Sequence, residues 1–361
     1  MPASRRSVVL VASLACLAVG SRLGAQQVVR LTPASGRVAI WNLIGTVRVE
    51  QGTSDDVEVE VTRLGAHAGQ LVTRTGVLDG AQTLRIFHPA DVIRAADEAH
   101  AARRYSTTIR LRDDGRFGMS GGDGRRVRLS HDGGAEASAD LVVRVPAGVS
   151  LELHLGLGDI AARGTMRALS LETGSGTIRT GETRGPLRLE TGSGAVAVTR
   201  HDGDLDVETG SGSVTASDID GATAVRIESG SGALSVVRCR ATDHLALETG
   251  SGRISALGIE AASMRLETGS GSVEVAPRSS AGDLDVETGS GSVTLIAPDD
   301  FNAELRLSAG SGGVESAVPM AVSRRERGEL DGRIGTGRSR VTIETGSGGV
   351  LVRPASIRRT I

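Results

Sequence analysis

The sequence predicts an all-β fold, a parallel β-solenoid (β-helix), and three observations carry this prediction. The tripeptide Gly-Ser-Gly occurs nine times in the 361 residues. Most successive copies are about 19 to 20 residues apart, which lies in the range of stacked repeats. Apolar and polar residues alternate on both sides of the tripeptide, as from Leu187 to Glu190, and this pattern is typical of strands with one buried face. Each repeat is therefore predicted to be one coil of two strands.

Gly-Ser-Gly is predicted to form the corner between the two strands of a coil. Leu171 and Ile178 are both apolar, and an uninterrupted strand would place residues at such an odd separation on opposite faces. Glycine accepts positive φ and leaves room for the next coil to stack. The corner residues of the first three copies are Gly174, Ser175, Gly176, Gly192, Ser193, Gly194, Gly210, Ser211 and Gly212.

Eight of the nine copies carry a glutamate two residues before the first glycine. These residues are Glu172, Glu190, Glu208, Glu228, Glu248, Glu267, Glu287 and Glu344. Residues in register on stacked coils lie about 4.8 Å apart, where like charges repel. Arginines stand two positions earlier in several coils, for example Arg188 and Arg226. We therefore expect a surface salt ladder, with a row of bound cations as the alternative.

Other chemistries fit these motifs poorly. A calcium-binding β-roll has an Asp after its glycines, and here only Asp159 occupies a comparable place. A phosphate loop requires a lysine and a helix, and a nucleophile elbow requires Gly-x-Ser-x-Gly with histidine and acid partners. The histidines show no metal-ligand spacing and are expected at the surface or in corners, although His154 takes the place of the glutamate in the first ladder position. We predict no catalytic, cofactor-binding or metal site.

The N-terminus predicts a secretory signal peptide over residues 1–25. Arg5 and Arg6 precede a short apolar run, and small residues lead to Ala25. Lipid attachment at Cys16 is the alternative reading. Cleavage leaves about 38 basic and 43 acidic residues, which argues against nucleic acid as a partner. It also leaves Cys239 as the single cysteine and no apolar run of transmembrane length.

The pattern divides the remaining chain into four regions. Residues 26–89 are expected to form N-terminal cap strands, with a degenerate first coil around Gly45. Residues 90–138 are rich in Gly, Asp and Arg and predict a flexible insertion with a short helix over 91–104. The solenoid repeats run over 139–353, and 354–361 form a C-terminal tail. The long gap before Glu344 predicts a hidden degenerate coil, followed by a closing coil.

The combination of an export signal, the segment from Val145 to Gly148 and serial Leu-x-Leu-Glu-Thr-Gly-Ser-Gly-x-Val-x-Val coils resembles the bacterial putative-adhesin family of β-strand-repeat envelope proteins, a domain of unknown function. The resemblance covers about residues 35 to 353. It implies a β-solenoid and supplies no catalytic residues. Some members of this family are linked to envelope-stress systems.

These observations predict a non-catalytic exported protein of the cell envelope, located in the periplasm, at the cell surface or outside the cell. The expected role is that of an adhesin or binding scaffold whose repetitive faces bind a protein or glycan of the envelope. An envelope-stress sensor or assembly factor is one alternative. A polysaccharide-active β-helix enzyme is the other, and it is disfavoured because the chain has no lysine and only five aromatic residues.

Overall fold

The computed structural model of the protein describes residues 26–96, 106–118, 123–130, 132–280 and 282–355. The predicted signal peptide and most of the predicted C-terminal tail lie outside these residues, as does most of the predicted helix over 91–104. The described part contains strands and one 3-10 turn, Ala68–Gln70. None of its elements is a helix with the length and apolar character needed to cross a membrane.

The strands fall into three groups along the chain. The first is β1 (Gln26–Leu31), β2 (Arg37–Ile44), β3 (Val47–Gln51), β4 (Val57–Leu64), β5 (Val72–Leu78) and β6 (Ala81–Phe87). The second is β7 (Val92–Arg94), β8 (Thr107–Leu111), β9 (Phe117–Gly118), β10 (Arg125–Ser130) and β11 (Ala135–Glu136).

The third group forms most of the coils. It comprises β12 (Ser138–Val145), β13 (Ser150–Leu157), β14 (Ile160–Thr165), β15 (Ala168–Ser175), β16 (Ile178–Arg184), β17 (Leu187–Thr191), β18 (Val196–Asp202), β19 (Leu205–Thr209), β20 (Val214–Ser229), β21 (Leu234–Thr249) and β22 (Ile254–Glu260). It continues with β23 (Ser263–Thr268), β24 (Val273–Pro277), β25 (Asp283–Thr288), β26 (Val293–Ala297), β27 (Ala303–Ala309), β28 (Val314–Ser316), β29 (Ala321–Glu326), β30 (Glu329–Ile334), β31 (Ser339–Thr345) and β32 (Val350–Pro354).

The predicted parallel β-solenoid is confirmed, and it has two faces. The front face has the order β5, β6, β2, β13, β15, β17, β19, β20, β21, β23, β25, β31, β27, β30, β29, and its strands from β15 to β27 in this order are those that lead into Gly-Ser-Gly. The back face has the order β1, β4, β12, β3, β14, β16, β18, β20, β21, β22, β24, β26, β32, β28. The long strands β20 and β21 pass through the second corner and belong to both faces.

The core between the two faces is aliphatic. Leu189, Val207 and Ile227 are aligned on successive front strands, and none of them is exposed to solvent. Alternate side chains point outward, as the sequence pattern predicts. Each buried aliphatic side chain contributes about 1.5–3 kcal/mol, too little for one coil to offset its own ordering. Stability therefore comes from the stacking of many coils.

The last coil in the sequence is not the last coil in space. Strands β31 and β32 lie between the coil of β25 and β26 and the coil of β27 and β28. Strands β29 and β30 form an antiparallel hairpin that pairs with β27. The expected degenerate coil before Glu344 is therefore a hairpin instead. The expected closing coil is present as β31 and β32, but it does not lie at the end of the solenoid. The C-terminal coil gains strand partners on both sides, which leaves fewer unpaired backbone groups at the chain end.

The N-terminal end has the same kind of arrangement. Strands β2 and β3 form a coil with Gly45 in its corner, as predicted. This coil pairs on one side with β13 and β14 and on the other with β6 and β12, all in parallel. Strands β1, β4 and β5 then add antiparallel pairs. At both ends, a coil made by the chain terminus is covered by a more internal part of the sequence.

The described part of the segment 90–138, where a flexible insertion with a short helix was expected, forms a second sheet. Its five strands are ordered β11, β7, β10, β8, β9. Ile109, Val127 and Leu129 are fully buried. Leu129 lies directly above Gly156 in the first corner of the solenoid, where a Cβ would be only 2.4 Å from its side chain. The strands were missed because they are short and separated by Gly- and Asp-rich turns.

Candidate functional site

The second glycine of each Gly-Ser-Gly corner has no room for a side chain. A Cβ on Gly194 would lie 1.5 Å from the carbonyl oxygen of Gly176 in the preceding coil, and one on Gly212 would lie 1.7 Å from that of Gly194. At the first glycine of a corner, such as Gly210, the corresponding distance is 2.4 Å. Of the six corner glycines predicted for the first three copies, only Gly176 has a positive φ, of 152°. Close stacking, rather than positive φ, therefore requires glycine here.

A buried hydroxyl group just before most Gly-Ser-Gly corners links two coils, and Ala309 takes this position in the remaining copy. Thr209 Oγ1 donates to the carbonyl oxygen of Gly194 in the preceding coil (3.2 Å) and accepts from the N–H of Gly212 (3.1 Å). The same pair of bonds is made by Thr191, Ser229, Thr249, Thr268, Thr288 and Thr345. Sequence reasoning missed these residues, although a Thr or Ser follows the glutamate in all eight acidic copies.

The middle serine of the corner has a different environment in the first copy than in later ones. Ser175 is buried, and its hydroxyl lies 3.4 Å from that of Ser193. Ser193 and Ser211 are exposed. The hydroxyl that holds the corner is thus that of the preceding Thr or Ser, and the exposed middle serines face solvent.

The eight glutamates lie in one unbroken row on the front face. Strand pairing aligns each with the next in the order Glu172, Glu190, Glu208, Glu228, Glu248, Glu267, Glu287 and Glu344. Glu344 joins the row directly after Glu287 because β31 is inserted beside β25. We call these residues the front glutamate row. Adjacent members are separated by one strand spacing, about 4.8 Å.

Only some members of the front glutamate row have an ion-pair partner. Arg265 contacts Glu267 at 3.0 Å, Arg188 contacts Glu190 at 3.7 Å, and Arg226 contacts Glu228. In each case the arginine stands two residues before the glutamate on the same strand. Arg188 also reaches Asp206 of the next coil at 3.1 Å. The predicted salt ladder is therefore partial, and the arginines do not bridge the glutamates of neighbouring coils.

The other half of the row is exposed and unneutralised. Glu208, Glu248, Glu287 and Glu344 make no ion pair with a described residue, and all four are classed as exposed. The residues two positions before them are Asp206, Ala246, Asp285 and Thr342. Paired and unpaired carboxylates thus alternate along most of the row, and the sequence encodes this alternation through the residue two positions earlier.

The N-terminal end of the row is closed by an aromatic pair. His154 is aligned with Glu172, and its Nδ1 lies 2.5 Å from Glu172 Oε2. The imidazole stacks on the Trp41 ring with 4.8 Å between centroids.

Burial, together with repulsion from Glu172 and Glu208, raises the pKa of Glu190. Like-charge repulsion within the row is therefore felt despite the neighbouring arginines.

The back face carries a second column of charges, at a stacked bulge. The strand register there skips one residue in each of β16, β18, β20 and β21. The extra residues are Glu182, Arg200, Asp218 and Arg238, which we call the back bulge column. All four have positive φ, between 53° and 58°. This left-handed conformation is uncommon for residues other than glycine, and Gly258 takes it in the next coil with φ of 67°.

The signs of charge alternate along the back bulge column. Arg200 donates to Glu182 at 2.7 Å, and Arg238 Nε donates to Asp218 Oδ1 at 2.5 Å. The hydrogen bonds from Arg238, reinforced by the charges of Arg238 and Arg200, lower the pKa of Asp218. Sequence reasoning missed this column because the bulge interrupts the alternation of strand residues. A charged residue in each coil at a fixed distance after Gly-Ser-Gly was the available signal.

The remaining titratable candidates are structural. His201 is buried beside the second corner, and its two ring nitrogens contact Thr183 Oγ1 at 3.0 Å and the Asp204 carbonyl oxygen at 3.1 Å. Burial lowers the pKa of His201 and raises that of Cys239 to about 12. In the part of the chain that the structure describes, no three His, Cys, Asp or Glu side chains converge as metal ligands would.

Comparison with known proteins identifies a family. Two solved structures resemble this chain at low similarity. A putative adhesin from Bacteroides fragilis has 10% sequence identity and a TM-score of 0.36, and the match covers 92% of this chain and 98% of that one. A putative cell adhesion protein from Clostridium sporogenes has 10% identity and a TM-score of 0.24, with 91% and 99% covered. No curated protein matches. The Toastrack DUF4097 family matches residues 112–353, two thirds of the sequence, and the chain therefore belongs to that family.

Proposed function

We propose that this protein is an exported, non-catalytic binding protein of the cell envelope, with an adhesin-like role carried by its front face. The observation that carries the proposal is the front glutamate row. Eight carboxylates lie in register, and the four most exposed of them have no ion-pair partner among the described residues.

The free carboxylates favour a partner with a basic surface. Repulsion within the row makes the free protein less stable than a neutralised one, and cationic groups on a partner would remove that cost on binding. Arginine and lysine side chains spaced along a partner protein match the regular spacing of the row. The rigid stacking of coils keeps the row straight, so little conformational entropy is lost on association.

The proposal is tested by a crosslinking pull-down from native envelope fractions, with mass spectrometry of the captured molecules. The test variant is Glu208→Gln, Glu248→Gln, Glu287→Gln. The control Asp55→Asn, Asp243→Asn, Glu315→Gln removes the same charge from exposed acids outside the row. We expect a defined partner that the control retains and the test variant loses. Equal capture by both variants, or no specific capture by the unmodified chain, would contradict the proposal.

Export is tested separately. The full-length chain with a C-terminal tag is expected in the envelope or extracellular fraction, with Gln26 as its first residue. A cytoplasmic chain that retains Met1 would refute the export part of the proposal without affecting the binding part.

A further inference from the structure

A cleft of about 500 Å³ opens on the back face, away from the front glutamate row. It is lined by residues of β3, β14, β16 and β18. Strand β14 has one residue between Ala162 and Gly164, whereas the paired part of β16 has two residues, Gly181 and Glu182. The cleft thus lies where a coil without the bulge meets the first coil that has it. Its volume falls in the range of small-ligand sites.

Two arginines in this cleft have no partner within the described part of the chain. Arg48 and Arg179 are exposed, and neither makes an ion pair or hydrogen bond with a described residue. Both are aligned with Ala161 on the strand between them, so their Cα atoms are about 9.6 Å apart. The small side chain of Ala161 leaves the space between the two guanidinium groups open.

Two ion pairs border the same cleft. Arg163 contacts Glu50 at 3.0 Å, and Arg200 contacts Glu182 at 2.7 Å. With four arginines and two glutamates, the lining has a net positive charge on a chain whose formal net charge is −2. The cleft is therefore a local basic site that also offers carboxylate acceptors.

Thr180 is a third unusual feature of the cleft. It stands in the inward row where the neighbouring coils have Ala162 and Val198. It is 4% exposed, and its hydroxyl oxygen is buried without a hydrogen-bond partner in the described structure. An unsatisfied buried hydroxyl lowers stability, so packing alone does not explain a threonine here.

We propose that this cleft binds an acidic saccharide, with Arg48 and Arg179 each holding one of its carboxylate groups. Guanidinium groups bind carboxylates through paired hydrogen bonds. The hydroxyl groups of a sugar would donate to Glu50 and Glu182, which would repel a ligand that carried only anionic groups. This proposal rests on the proposed binding function and names a ligand class for a second face of the same protein.

Other anionic ligands fit the cleft less well. A nucleic acid would require aromatic side chains for base stacking, and none lines the cleft. A peptide strand would require unpaired backbone groups, whereas β14 and β16 are each paired on both sides. An anionic membrane surface would meet the two glutamates as well as the arginines, and the glutamates would repel it.

The test is calorimetric titration of the protein with a trimer of galacturonic acid, a neutral trimer of glucose and inorganic phosphate. We expect the acidic trimer to bind and the neutral trimer not to bind. The double variant Arg48→Gln, Arg179→Gln is expected to weaken binding by about tenfold or more. The control Arg306→Gln, Arg340→Gln removes the same charge from exposed arginines of the front face and should leave binding unchanged.

Three results would overturn the assignment. The first is that the acidic trimer does not bind. The second is that it binds the Arg48→Gln, Arg179→Gln variant with the same affinity as the unmodified protein. The third is that phosphate binds as tightly as the trimer. Thermal unfolding of both variants verifies that they are folded. These outcomes are independent of the envelope pull-down, because a protein partner captured through the front glutamate row does not require Arg48 or Arg179.

Discussion

The front and back faces each carry one column of charged side chains that crosses successive coils. On the front face, eight glutamates follow one another in register, and only some have an arginine nearby. On the back face, the signs alternate from Glu182 to Arg238, and the charges form two ion pairs, Glu182 with Arg200 and Asp218 with Arg238. Both columns follow from the stacking of coils in register, but the front row lies on regular strands and the back column lies at a bulge with positive φ.

The charges of the back bulge column neutralise one another, whereas half of the carboxylates in the front glutamate row have no cationic partner among the described residues. The back bulge column neutralises itself and stabilises a backbone conformation that is costly for residues other than glycine. The front glutamate row retains repulsion that an arginine two residues before each of its four unpaired members would reduce. The back column is therefore interpreted as structural, and the front row as a surface for a partner.

Both columns depend on the close stacking of coils, and one added methyl group at a corner glycine is expected to disrupt that stacking. Gly212→Ala would place a Cβ 1.7 Å from the Gly194 carbonyl oxygen, and backbone must move to admit it. We expect a loss of more than about 3 kcal/mol in the free energy of unfolding, measured by denaturant titration. Ser211→Ala, one residue earlier and exposed, should change it by about 0.5 kcal/mol or less. Similar values for the two variants would show that the coils are not packed this closely.

The hydroxyl link between coils gives the next largest effect. Thr249→Val removes the bonds to the Gly232 carbonyl oxygen and from the Gly252 N–H, leaving buried backbone groups unpaired. The expected loss is about 1–3 kcal/mol. Thr215→Val, on the exposed side of the back face, is the matched control and should be nearly neutral. A neutral Thr249→Val would mean that the corner is held by stacking alone.

Matched charge reversals sharpen the comparison of the two columns. Glu208→Arg would place a cation between Glu190 and Glu228 and is expected to stabilise the protein by about 0.5–1 kcal/mol. Arg200→Glu would align three acids on the back face and should destabilise it by a similar amount. Both effects should shrink at high salt, since the groups are exposed. Chemical denaturation at two ionic strengths measures them, and equal signs would contradict the assigned roles.

The repeat and the front glutamate row could be predicted from the sequence because Gly-Ser-Gly and its glutamates recur in one register. The order of the coils at the two ends of the solenoid could not be predicted. The insertion of β31 beside β25 places Glu344 next to Glu287, and no local pattern distinguishes that order from a sequential one. The second sheet was missed for a related reason, since strands as short as Phe117–Gly118 carry no periodicity.

The back bulge column shows a further limit of sequence reasoning. A bulge shifts the alternation of side chains by one residue, so Glu182 and Arg200 read as irregular positions rather than as a ladder. The cleft beside them depends on the contrast between β14 and β16, a property of two coils together. Such features follow from stacking and are not visible within a single repeat.

The pH dependence of stability tests the contrast between the columns most directly, although the effects are small. Because the pKa of Glu190 is raised in the folded protein, its ionised form costs stability, and that cost disappears as pH falls toward the ordinary pKa of a glutamate. Because the pKa of Asp218 is lowered, its ionised form adds stability, which is lost as pH falls.

The decisive measurement is the free energy of unfolding of Glu190→Gln, Asp218→Asn and the unmodified protein between pH 7 and pH 3. At pH 7, Glu190→Gln should be more stable than the unmodified protein and Asp218→Asn less stable. The Glu190→Gln difference should decline toward zero as the pH approaches 3, because Glu190 is then protonated. The Asp218→Asn difference should only begin to decline by pH 3, because the lowered pKa keeps part of Asp218 ionised. If both substitutions shifted stability in the same direction at pH 7, the front row would be neutralised like the back column, and the central claim would be wrong.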